Sequence, residues 1–402
     1  MRLLVLDEAW QAIGGVDTFR RFLLPALVPR VKKLWWANPA CVHSRRLTEI
    51  NLQGIEVLDT FPPTRSPGGL ASAIFRRLPP RWFSAARARA QAAFRRHHLR
   101  GLVRRLGVTH ILEICIFRHP FPHCGVPVIG MVHDLDYPDR GHSPIDAIFR
   151  DWLKNASLIF ADASQGRDEL LELEPSAGAR IQVITSPPTA PPEPRPSRAG
   201  NRFRGDTPVL YYPAVASPRK NHAVLLAALA QLAARPVPFH CFFSGIGTDQ
   251  LLSAQTLSNP DAEALRQLCR PWLDSLQGRI TALGAQSWSV VEELYAAADM
   301  VVLPTRYEGF GLPMGEALCR GVPVVASRVP TFEEQVAHYQ AQDQVRWVPP
   351  GDPAALAETL AGVLTGAAPF PPFPPEWSER LAAWTWDAYA ARVVTALAAA
   401  RA

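Results

Sequence analysis

Two glutamates, Glu308 and Glu316, stand on either side of a glycine-containing loop and are the residues best suited to chemistry in this chain. They fall within Leu303–Ser327, where a buried strand leads into the loop, a short helix follows, and a second strand comes after it. Pro313 suits the first turn of that helix and Gly321 suits its C-terminal end. Glycines before a helix let backbone N–H groups approach a ligand, and the positive end of the helix favours an anion such as phosphate. The stretch therefore predicts an anion site with two carboxylates at its mouth, unless it is only a capped helix with two solvated acids.

A basic turn supplies a second candidate for anion binding. Ser217–His222 follows the strand predicted at Val209–Tyr212 and begins a helix. Arg219 and Lys220 would lie there beside backbone N–H groups, an arrangement that suits a diphosphate. The helix dipole disfavours basic side chains at this end unless an anion is bound, so the pattern favours a ligand over a simple basic helix start.

Glycines recur at the carboxyl ends of other predicted strands. Gly245 follows one strand of the second half of the chain and Gly284 follows another, while Gly14 and Gly15 follow the first strand near the N-terminus. Glycines at such places bring backbone close to a ligand at the carboxyl edge of a parallel sheet. The spacing at Gly14 is not the G-x-G-x-x-G of a dinucleotide site, which argues against that class of ligand.

His133 follows the strand predicted at Val126–Val132. A lone histidine is more often a structural group than a catalytic one, but ligand-facing residues of open α/β sheets lie at the carboxyl ends of strands. The position therefore favours a ligand contact. Asp134 or Asp136 is expected to orient the imidazole.

Buried strands alternate with helical stretches along the whole chain, which predicts a doubly wound α/β fold. The first half predicts strands at Arg2–Leu6, Lys33–Trp36, Ile55–Leu58, His110–Ile114, Val126–Val132, Leu158–Ala161 and Ile181–Ile184. The second half predicts strands at Val209–Tyr212, His240–Phe243, Ile280–Leu283, Met300–Leu303, Val322–Ala326 and Val345–Val348. A short helix over Thr18–Leu24 is expected to end at Pro25. Further helices are expected at His222–Ala233, Leu265–Leu276 (broken near Pro271), Val290–Ala298, Gly315–Cys319 and Ala354–Leu364.

At 402 residues the chain is too long for one ordinary hydrophobic core, which predicts two domains. Residues 187–206 are rich in proline, arginine and glycine, so an exposed linker is expected there. We therefore expect a first Rossmann-like domain over 1–190, a linker over 191–206, and a second Rossmann-like domain over 207–368. Two such domains facing each other form a central cleft, the default ligand site.

Residues 369–402 predict a proline spacer followed by a helical tail. Its large apolar side chains are expected to share one face, namely Leu381, Trp384, Trp386, Tyr389 and Val393. A terminal helix with so many aromatic residues must dock against other structure, and we expect it to pack back toward the first domain.

Composition places the chain among globular proteins, because hydrophobic residues make up 48% and charged residues 19%. Six cysteines are scattered without the spacing of metal ligands and are expected to be reduced core residues. We see no signal-peptide pattern and no apolar run long enough to cross a bilayer, so a cytoplasmic protein is expected.

The net charge of +6 is concentrated between Arg76 and Arg105, where ten arginines occur without an acidic residue. Trp82 and Phe94 are among the apolar residues that interrupt them. This pattern suits an interfacial helix on anionic lipid, at the inner face of the cell membrane. It could also bind nucleic acid, but no nucleic-acid motif accompanies it and no such partner is expected. A solvated, arginine-rich helix pair is the alternative.

Together these motifs resemble the retaining glycosyltransferases of family four, which have the GT-B fold. The strongest part is Tyr307–Glu316 (YEGFGLPMGE), which resembles the family's signature of two glutamates separated by seven residues. The block Ala296–Ser327 around it has the family's order of strand, loop, helix and Gly-Val-Pro-Val-Val strand. Gly14–Gly15, His133, the Arg219 turn and the aromatic tail fall where the family has comparable elements, so the resemblance spans the whole chain.

The resemblance implies a nucleotide-sugar donor bound by the second domain and a glycan or lipid-linked acceptor bound by the first, acceptor-binding domain. Arg219 and Lys220 would neutralise the pyrophosphate, whose charge grows as the nucleoside diphosphate leaves. Glu316 would hold the ribose hydroxyls. Glu308 would contact the donor sugar and favour the positive charge that develops at its anomeric carbon.

Backbone groups and the first domain would complete the donor site that the resemblance implies. Sugar hydroxyls or phosphate would be bound by the N–H groups of Gly309, Phe310, Gly311 and Leu312. Main chain near Gly245 would meet the nucleotide, and Gly15 would let the first loop approach the phosphate. His133 would touch the transferred sugar from the opposite face.

The implied reaction transfers a hexose, with mannose mildly preferred, and retains the anomeric configuration. It needs neither a metal ion nor a cofactor, because arginine and lysine take the cation's part. Two departures from the family affect the roles. Many relatives carry a further arginine or a glycine where this chain has Pro213–Ala216, so the pairing of basic groups with phosphates stays open. A Pro-Glu pair near the sugar nucleotide is shifted here to Pro330–Glu334, to which no role is assigned.

Two other functions stay open. Glu308 and Glu316 could be the acid–base pair of a hydrolase or phosphorylase, although both lie at a phosphate-binding helix start. A basic scaffold without catalysis could bind anionic membrane or nucleic acid through Arg76–Arg105, with salt-sensitive affinity.

Overall fold

The computed structural model of the protein describes residues 1–7, 15–37, 51–58, 80–117, 119–137, 140–189, 197–253, 257 and 259–400, without the side chains of 15, 16, 80–91 and 378. The chain forms two compact units. Met1–Ser186 together with Trp386–Ala402 make the first unit, and Pro187–Thr385 make the second.

The first unit is built on a sheet of seven parallel strands in the order β3-β2-β1-β4-β5-β6-β7. Its strands are β1 (Arg2–Leu6), β2 (Lys33–Ala37), β3 (Ile55–Leu58), β4 (His110–Glu113), β5 (Val128–Val132), β6 (Leu158–Ala161) and β7 (Ile181–Val183). Its helices within Met1–Ser186 are α1 (Gly15–Thr18), α2 (Leu24–Leu27), α3 (Pro80–Leu106), α4 (Pro144–Asn155) and α5 (Ser164–Leu173). The strand order reverses between β1 and β4, which makes that edge a favoured ligand position.

The second unit repeats this plan with six parallel strands in the order β10-β9-β8-β11-β12-β13. Its strands are β8 (Val209–Pro213), β9 (His240–Ser244), β10 (Ile280–Ala282), β11 (Met300–Leu303), β12 (Val324–Ser327) and β13 (Val345–Val348). Its helices are α6 (His222–Ala233), α7 (Thr248–Leu251), α8 (Pro260–Cys269), α9 (Trp288–Ala297), α10 (Leu312–Cys319), α11 (Pro330–Tyr339), α12 (Pro353–Leu364) and α13 (Trp377–Ala382). The tail ends in α14 (Trp386–Ala399), which belongs to the first unit. The predicted doubly wound α/β fold is confirmed in both units.

Short 3-10 turns connect several of these elements. They are Val28–Arg30, Pro175–Arg180, Pro218–Lys220, Arg270–Trp272, Asp274–Leu276 and Gln342–Gln344. Two of them correct the helix predicted at Leu265–Leu276. The helix α8 begins earlier, where Asn259 Oδ1 accepts the N–H of Asp261 at 2.9 Å, and it ends at Cys269. Pro271 cannot continue the α-helical hydrogen bonding, so 3-10 turns follow.

The prediction that Pro25 ends the first helix is wrong. A wide π-helical turn, Phe19–Leu23, follows α1, and helical backbone then continues through Pro25 in α2. Proline lacks an N–H and its ring clashes with the carbonyl four residues earlier in an α-helix. A π-helical turn spaces the carbonyls more widely, which gives the ring room.

A buried ion pair joins this helical run to the first strand. Arg20 donates from Nε to Asp7 Oδ2 at 2.5 Å and from Nη2 to Asp7 Oδ1 at 2.9 Å. Trp36 Nε1 also donates to Asp7, at 3.3 Å. Both charged side chains are almost wholly buried, so removing either partner would leave an uncompensated charge in the core.

The two units divide the chain at other positions than the predicted domains. The crossover lies between Ser186 and Pro187 rather than at residue 190. Of the predicted linker, residues 197–206 belong to the second unit and 191–196 lie outside the described residues. Arg204 Nη1 donates to Asp299 at 2.6 Å and to the Ala297 carbonyl at 2.9 Å, so charge pairing fastens part of this segment to the second unit.

The single apolar face predicted for the tail is also wrong. Leu381 and Trp384 pack against the core of the second unit, whereas Trp386, Tyr389 and Val393 are buried in the core of the first. The chain breaks between α13 and α14, so no continuous helix carries all five side chains. The part of the tail that packs in the first unit is α14.

His222, the first residue of α6, is fully buried against the rings of Tyr212 and Phe243. Neither of its ring nitrogens has a hydrogen-bond partner within the described residues. Burial, together with the charge of Lys220, lowers the pKa of His222 to about 3. The ring is therefore neutral in the folded protein, and its protonation opposes folding.

We predict that His222→Phe removes part of the protein's sensitivity to acid. Because an unfolded histidine titrates near pH 6.5, protons favour the unfolded state of the wild type between about pH 3 and about pH 6.5. Urea denaturation should show the wild type losing up to about 2 kcal/mol more than the variant between about pH 7 and about pH 5. His97→Asn, at an exposed position, should behave as the wild type. Equal losses in His222→Phe and the wild type would contradict the assignment.

Candidate functional site

Three segments come together at the carboxyl edge of the second sheet. They are the basic turn after β8, the loop 304–311 after β11, and the start of α11 after β12. The strands β8, β11 and β12 are neighbours in the sheet, so the segments that follow them are neighbours too. This edge, beside the reversal of strand order, is where open α/β sheets bind ligands.

The basic turn is fastened to the loop by its backbone. The Arg219 carbonyl accepts hydrogen bonds from Thr305 Oγ1 at 3.0 Å and from the Arg306 N–H at 2.8 Å. Asn221, whose φ of 61° lies in the left-handed region that asparagine tolerates, donates from Nδ2 to the Pro304 carbonyl at 3.0 Å. The predicted phosphate-binding turn and the predicted sugar-binding loop therefore form one connected structure.

Lys220 and Glu308 form an ion pair across these two segments. Lys220 Nζ donates to Glu308 Oε1 at 2.6 Å, and the two side chains are only 12% and 7% exposed. Two charges this buried stabilise each other only while they stay paired. An ammonium group has three N–H donors, so Lys220 can hold Glu308 with one of them and still bind an anion with the others.

The loop between Glu308 and α10 presents backbone donors. Gly311 has a φ of 85°, and a Cβ there would lie 2.3 Å from a ring carbon of Phe332, so only glycine fits. Gly309 and Phe310 are buried, yet within the described residues their backbone N–H groups donate to no protein acceptor. Buried N–H groups are almost always paired, so this loop has the property of a binding site.

Glu316 lies on α10 in different surroundings from Glu308. Its side chain is buried, and its Oε2 accepts the Tyr295 hydroxyl at 2.9 Å. Burial raises the pKa of Glu316, and the charge of Arg320 opposes that rise. Arg320 is itself fixed by Glu292, to which its Nε donates at 2.8 Å. The structure thus gives Glu316 a tyrosine and a nearby arginine, and Glu308 a lysine.

The two predicted glycine turns are joined. Gly245 donates its N–H to the Gly284 carbonyl at 2.8 Å, and Thr248 Oγ1 links them again by donating to the Gly245 carbonyl and accepting the Gly284 N–H, both at 3.0 Å. Gly245 has a φ of 138°, and a Cβ there would lie 2.2 Å from the Ala214 carbonyl oxygen. Glycine is therefore required here, because a side chain would collide with the main chain that follows β8.

In the first unit, both ring nitrogens of His133 are engaged. Nδ1 lies 2.8 Å from Asp162 Oδ2 and Nε2 lies 2.6 Å from the Ile114 carbonyl oxygen. The expectation that Asp134 or Asp136 orients the ring is wrong, because the partner is Asp162, just after the neighbouring strand β6. Both partners are acceptors, an arrangement that favours a proton on each nitrogen and therefore the imidazolium form.

The charge of His133 follows from the same contacts. Burial alone would lower the pKa of His133, but the Asp162 carboxylate and the Ile114 carbonyl outweigh it and the pKa is raised. The ring also packs on Phe19, with centroids 4.3 Å apart. In this arrangement neither ring nitrogen of His133 is left for a sugar. Any polar contact from these nitrogens would require the ring to give up a present bond.

Gly15 begins α1, while Gly14 lies outside the described residues. The helix that Gly15 begins continues to Arg20, whose ion pair with Asp7 ties it to the carboxyl end of β1. This buried pair therefore fixes the position of the helical residues after Gly15 relative to β1.

The arginine-rich segment Arg76–Arg105 is only partly exposed to solvent. Arg95 is buried, pairs with Glu113 at 3.2 Å and donates to the Pro120 carbonyl at 3.0 Å. Arg100 donates to the His123 carbonyl at 2.9 Å. The exposed residues of α3 include Phe94, Arg96, Arg104 and Arg105, and residues 76–79 lie outside the described part. Of the helices that the structure describes, none combines the length and the apolar character that a bilayer span requires.

Several residues of these sites were not found from the sequence. Asp162 directly follows a predicted strand, the same signal that pointed to His133, and that signal could have found it. Thr248, Tyr295 and Arg320 lie at a helix start, inside a helix and at a helix end, where no motif distinguishes them. Their roles depend on which strands and helices become neighbours.

Comparison with known proteins finds a family match within the second unit. Residues 195–377 match the family described as Glycosyl transferases group 1. The matched range contains the basic turn, the loop, both glutamates and both glycine turns.

Relatives and solved structures agree with this match. The chain is 28% identical to phosphatidyl-myo-inositol mannosyltransferase of Mycolicibacterium smegmatis over 187 residues, 46% of this chain and 43% of that protein. It is 48% identical to O-antigen chain mannosyltransferase B of Escherichia coli over 60 residues, 15% of this chain and 16% of that protein. The chain thus spans less than half the length of these curated relatives. Sucrose-phosphate synthase from Thermosynechococcus elongatus has a similar fold, with a TM-score of 0.68 over 98% of both chains at 19% identity.

The parallel sheets, the loop with its two glutamates and the family match lead to one conclusion. The chain has the GT-B fold, and its residues 195–377 match the family of glycosyl transferases group 1.

Proposed function

We propose that the protein is a retaining glycosyltransferase that moves a hexose from a nucleotide-diphosphate sugar to a glycan or lipid-linked acceptor, without a metal ion or cofactor. The observation that carries the proposal is the Lys220–Glu308 ion pair at 2.6 Å, beside the Gly309 and Phe310 N–H groups, which donate to no protein acceptor within the described residues. A cation, a carboxylate and free backbone donors are what the transfer of a sugar from a diphosphate requires.

The donor diphosphate would bind Lys220 and Arg219 of the basic turn. It would also lie at the N-terminal end of α10. As the bond between the anomeric carbon and the diphosphate oxygen breaks, negative charge grows on the leaving group and Lys220 stabilises it. Positive charge grows at the anomeric carbon, where the Glu308 carboxylate favours it. The acceptor oxygen bonds to that carbon on the face that the diphosphate leaves, so the configuration is retained. The O–H bond of the acceptor breaks in the same step, and its proton goes to the departing diphosphate oxygen.

Sugar hydroxyls would accept hydrogen bonds from the N–H groups of Gly309, Phe310 and Gly311. Glu316 would accept the ribose hydroxyls with the carboxylate oxygen that does not bind Tyr295. Main chain near Gly245 would meet the nucleotide. The mannose preference is supported by the names of the two mannosyltransferase relatives, and the first unit would bind the acceptor.

The hydrolase alternative is disfavoured by the partners of the two glutamates. A general acid and a general base must share one substrate, whereas Glu308 is neutralised by Lys220 and Glu316 is hydrogen-bonded to Tyr295. The group paired with Glu308 is the Lys220 ammonium, where a hydrolase needs a second carboxyl group.

Peripheral association with the cytoplasmic face of a membrane is a second part of the proposal. It is supported by the exposed side chain of Phe94, at 59%, with the exposed Arg96, Arg104 and Arg105 on the same helix. The arginines that bind within the unit, Arg95 and Arg100, would take no part.

Glu308→Gln should abolish transfer while the protein stays folded. The amide cannot stabilise positive charge at the anomeric carbon, so release of nucleoside diphosphate from a panel of GDP- and UDP-sugars should fall on the order of 100-fold to 1,000-fold. Glu333→Gln, an exposed glutamate on α11, is the matched control and should keep full activity. Full activity in Glu308→Gln would remove Glu308 from the reaction.

Lys220→Met should weaken nucleotide binding more than it perturbs folding. Loss of the cation at the diphosphate should raise the dissociation constant for GDP or UDP on the order of 10-fold, measured by calorimetry. Lys154→Met, at an exposed lysine of the first unit, should leave the affinity unchanged. The double variant Lys220→Met with Glu308→Gln avoids an unpaired carboxylate and should bind nucleotide as weakly. Wild-type affinity in both Lys220 variants would take lysine out of the phosphate site.

The His133–Asp162 contact should make stability fall as the solution becomes alkaline. A raised pKa means that the folded state holds the proton more tightly, so the stabilisation is complete below pH 6.5 and is lost as pH rises through the folded pKa. Urea denaturation should show the gap between wild type and His133→Asn shrinking from about pH 6 to about pH 9. A gap that is constant or grows with pH would show that His133 is not an imidazolium.

A further inference from the structure

Helix α11 lies beside the loop 308–311 because of the sheet order. It begins directly after β12, and β12 is the neighbour of β11, from which the loop emerges. Thr331 and Gln335 are four residues apart on this helix, so they project from the same face. Both side chains are wholly buried.

Both side chains bind carbonyl groups of the loop. Thr331 Oγ1 donates to the Glu308 carbonyl at 2.8 Å. Gln335 Nε2 donates to the Phe310 carbonyl and, at 3.4 Å, to the Gly311 carbonyl. Gln335 Oε1 has no partner within the described residues. A buried oxygen without a hydrogen-bond partner costs free energy that an apolar side chain would avoid. The contribution of the Gln335 side chain to the loop is therefore its Nε2 donor.

A third residue of the helix fixes how closely the loop approaches. The Phe332 ring fills the space where a side chain at Gly311 would be, 2.3 Å from an added Cβ. Just before residues 308–311, the chain is held by the Arg219 carbonyl, which accepts hydrogen bonds from Thr305 and Arg306. The loop is therefore held by hydrogen bonds to the basic turn and to α11.

The grip on the carbonyls also sets the N–H groups. A trans peptide unit is planar, so the N–H of one residue points opposite to the carbonyl of the residue before it. With the Glu308 and Phe310 carbonyls directed to α11, the N–H groups of Gly309 and Gly311 point away from it. The weaker bond to the Gly311 carbonyl directs the Leu312 N–H in the same way.

We infer that Thr331 and Gln335 are positioning residues, which aim the backbone N–H groups of loop 308–311 and hold the main chain of Glu308 for sugar transfer. The inference rests on the proposed function for its catalytic consequence. Neither side chain touches the donor. Each acts through the peptide group that it binds, and the segment Pro330–Glu334, which had no role on the sequence, contains one of the two.

The test compares Thr331→Val, which loses the hydroxyl donor at nearly constant shape, with Thr331→Ser, which keeps it. Gln335→Met removes the second donor. Thr359→Val is the matched control, because Thr359 Oγ1 donates to a helix carbonyl at the same 2.8 Å, away from the loop. Amide hydrogen exchange of a peptide over 305–316 reports on the loop without any substrate. Steady-state kinetics with the best nucleotide sugar report on catalysis.

We expect faster exchange over 305–316 in Thr331→Val and Gln335→Met, with wild-type exchange in Thr331→Ser and Thr359→Val. The first two variants should lose kcat on the order of 10-fold to 100-fold, with KM for the donor and GDP or UDP affinity within about twofold. Thr331→Ser should restore kcat.

Unchanged exchange over 305–316 in both Thr331→Val and Gln335→Met would show that these side chains do not hold the loop. Faster exchange with unchanged kcat would overturn the positioning role, as would an equal loss in Thr359→Val. If the wild type transfers no sugar from any donor, the proposed function fails and the positioning role in transfer fails with it. The exchange result still decides whether α11 holds the loop.

Discussion

The ion pair between Lys220 and Glu308 is the interaction on which the rest of the second unit's site depends. It joins a turn that follows β8 to a loop that follows β11, and it places opposite charges a few ångströms apart in a buried position. Such a pair is costly to break and also costly to leave without further partners. The backbone bonds from Arg219 and Asn221 to the loop hold the two segments close enough for the pair to form. A bound anion would complete the set of partners for the ammonium group.

The first unit uses the same means at the corresponding edge of its own sheet. Arg20 and Asp7 connect the first helical run to the end of β1, and His133 and Asp162 connect the ends of β5 and β6. In each unit, parallel strands bring loops to one edge, and buried charges fix those loops to each other. The carbonyl and ring contacts around His133 make this histidine part of that framework. Both of its ring nitrogens are engaged by acceptors, the Asp162 carboxylate and the Ile114 carbonyl.

Much of the fold follows from local patterns. The strands Arg2–Leu6, Ile55–Leu58, Leu158–Ala161, Met300–Leu303 and Val345–Val348 have the bounds that hydrophobic runs predict. Glycine turns and the basic turn were found because their composition reports a local backbone requirement. Features that depend on contacts between residues far apart in the sequence were not predicted. Asp162 as the partner of His133, Tyr295 as the partner of Glu316, and the grip of Thr331 and Gln335 all require knowledge of which strands are adjacent. The passage of the helix through Pro25 depends on a π-helical turn that no residue pattern announces.

The division of the tail has a consequence for how the protein is made. The core of the first unit includes Trp386, Tyr389, Ala390, Val393 and Leu397, which pack with Phe19 and Leu23 near the other end of the chain. These residues leave the ribosome after the whole second unit, so the first unit cannot bury its apolar surface when its own strands are complete. Contacts that span most of the sequence form slowly, because a long loop must close first. During synthesis the second unit can therefore finish folding before the first, and a nascent chain that stops at α13 would expose the surface that α14 covers.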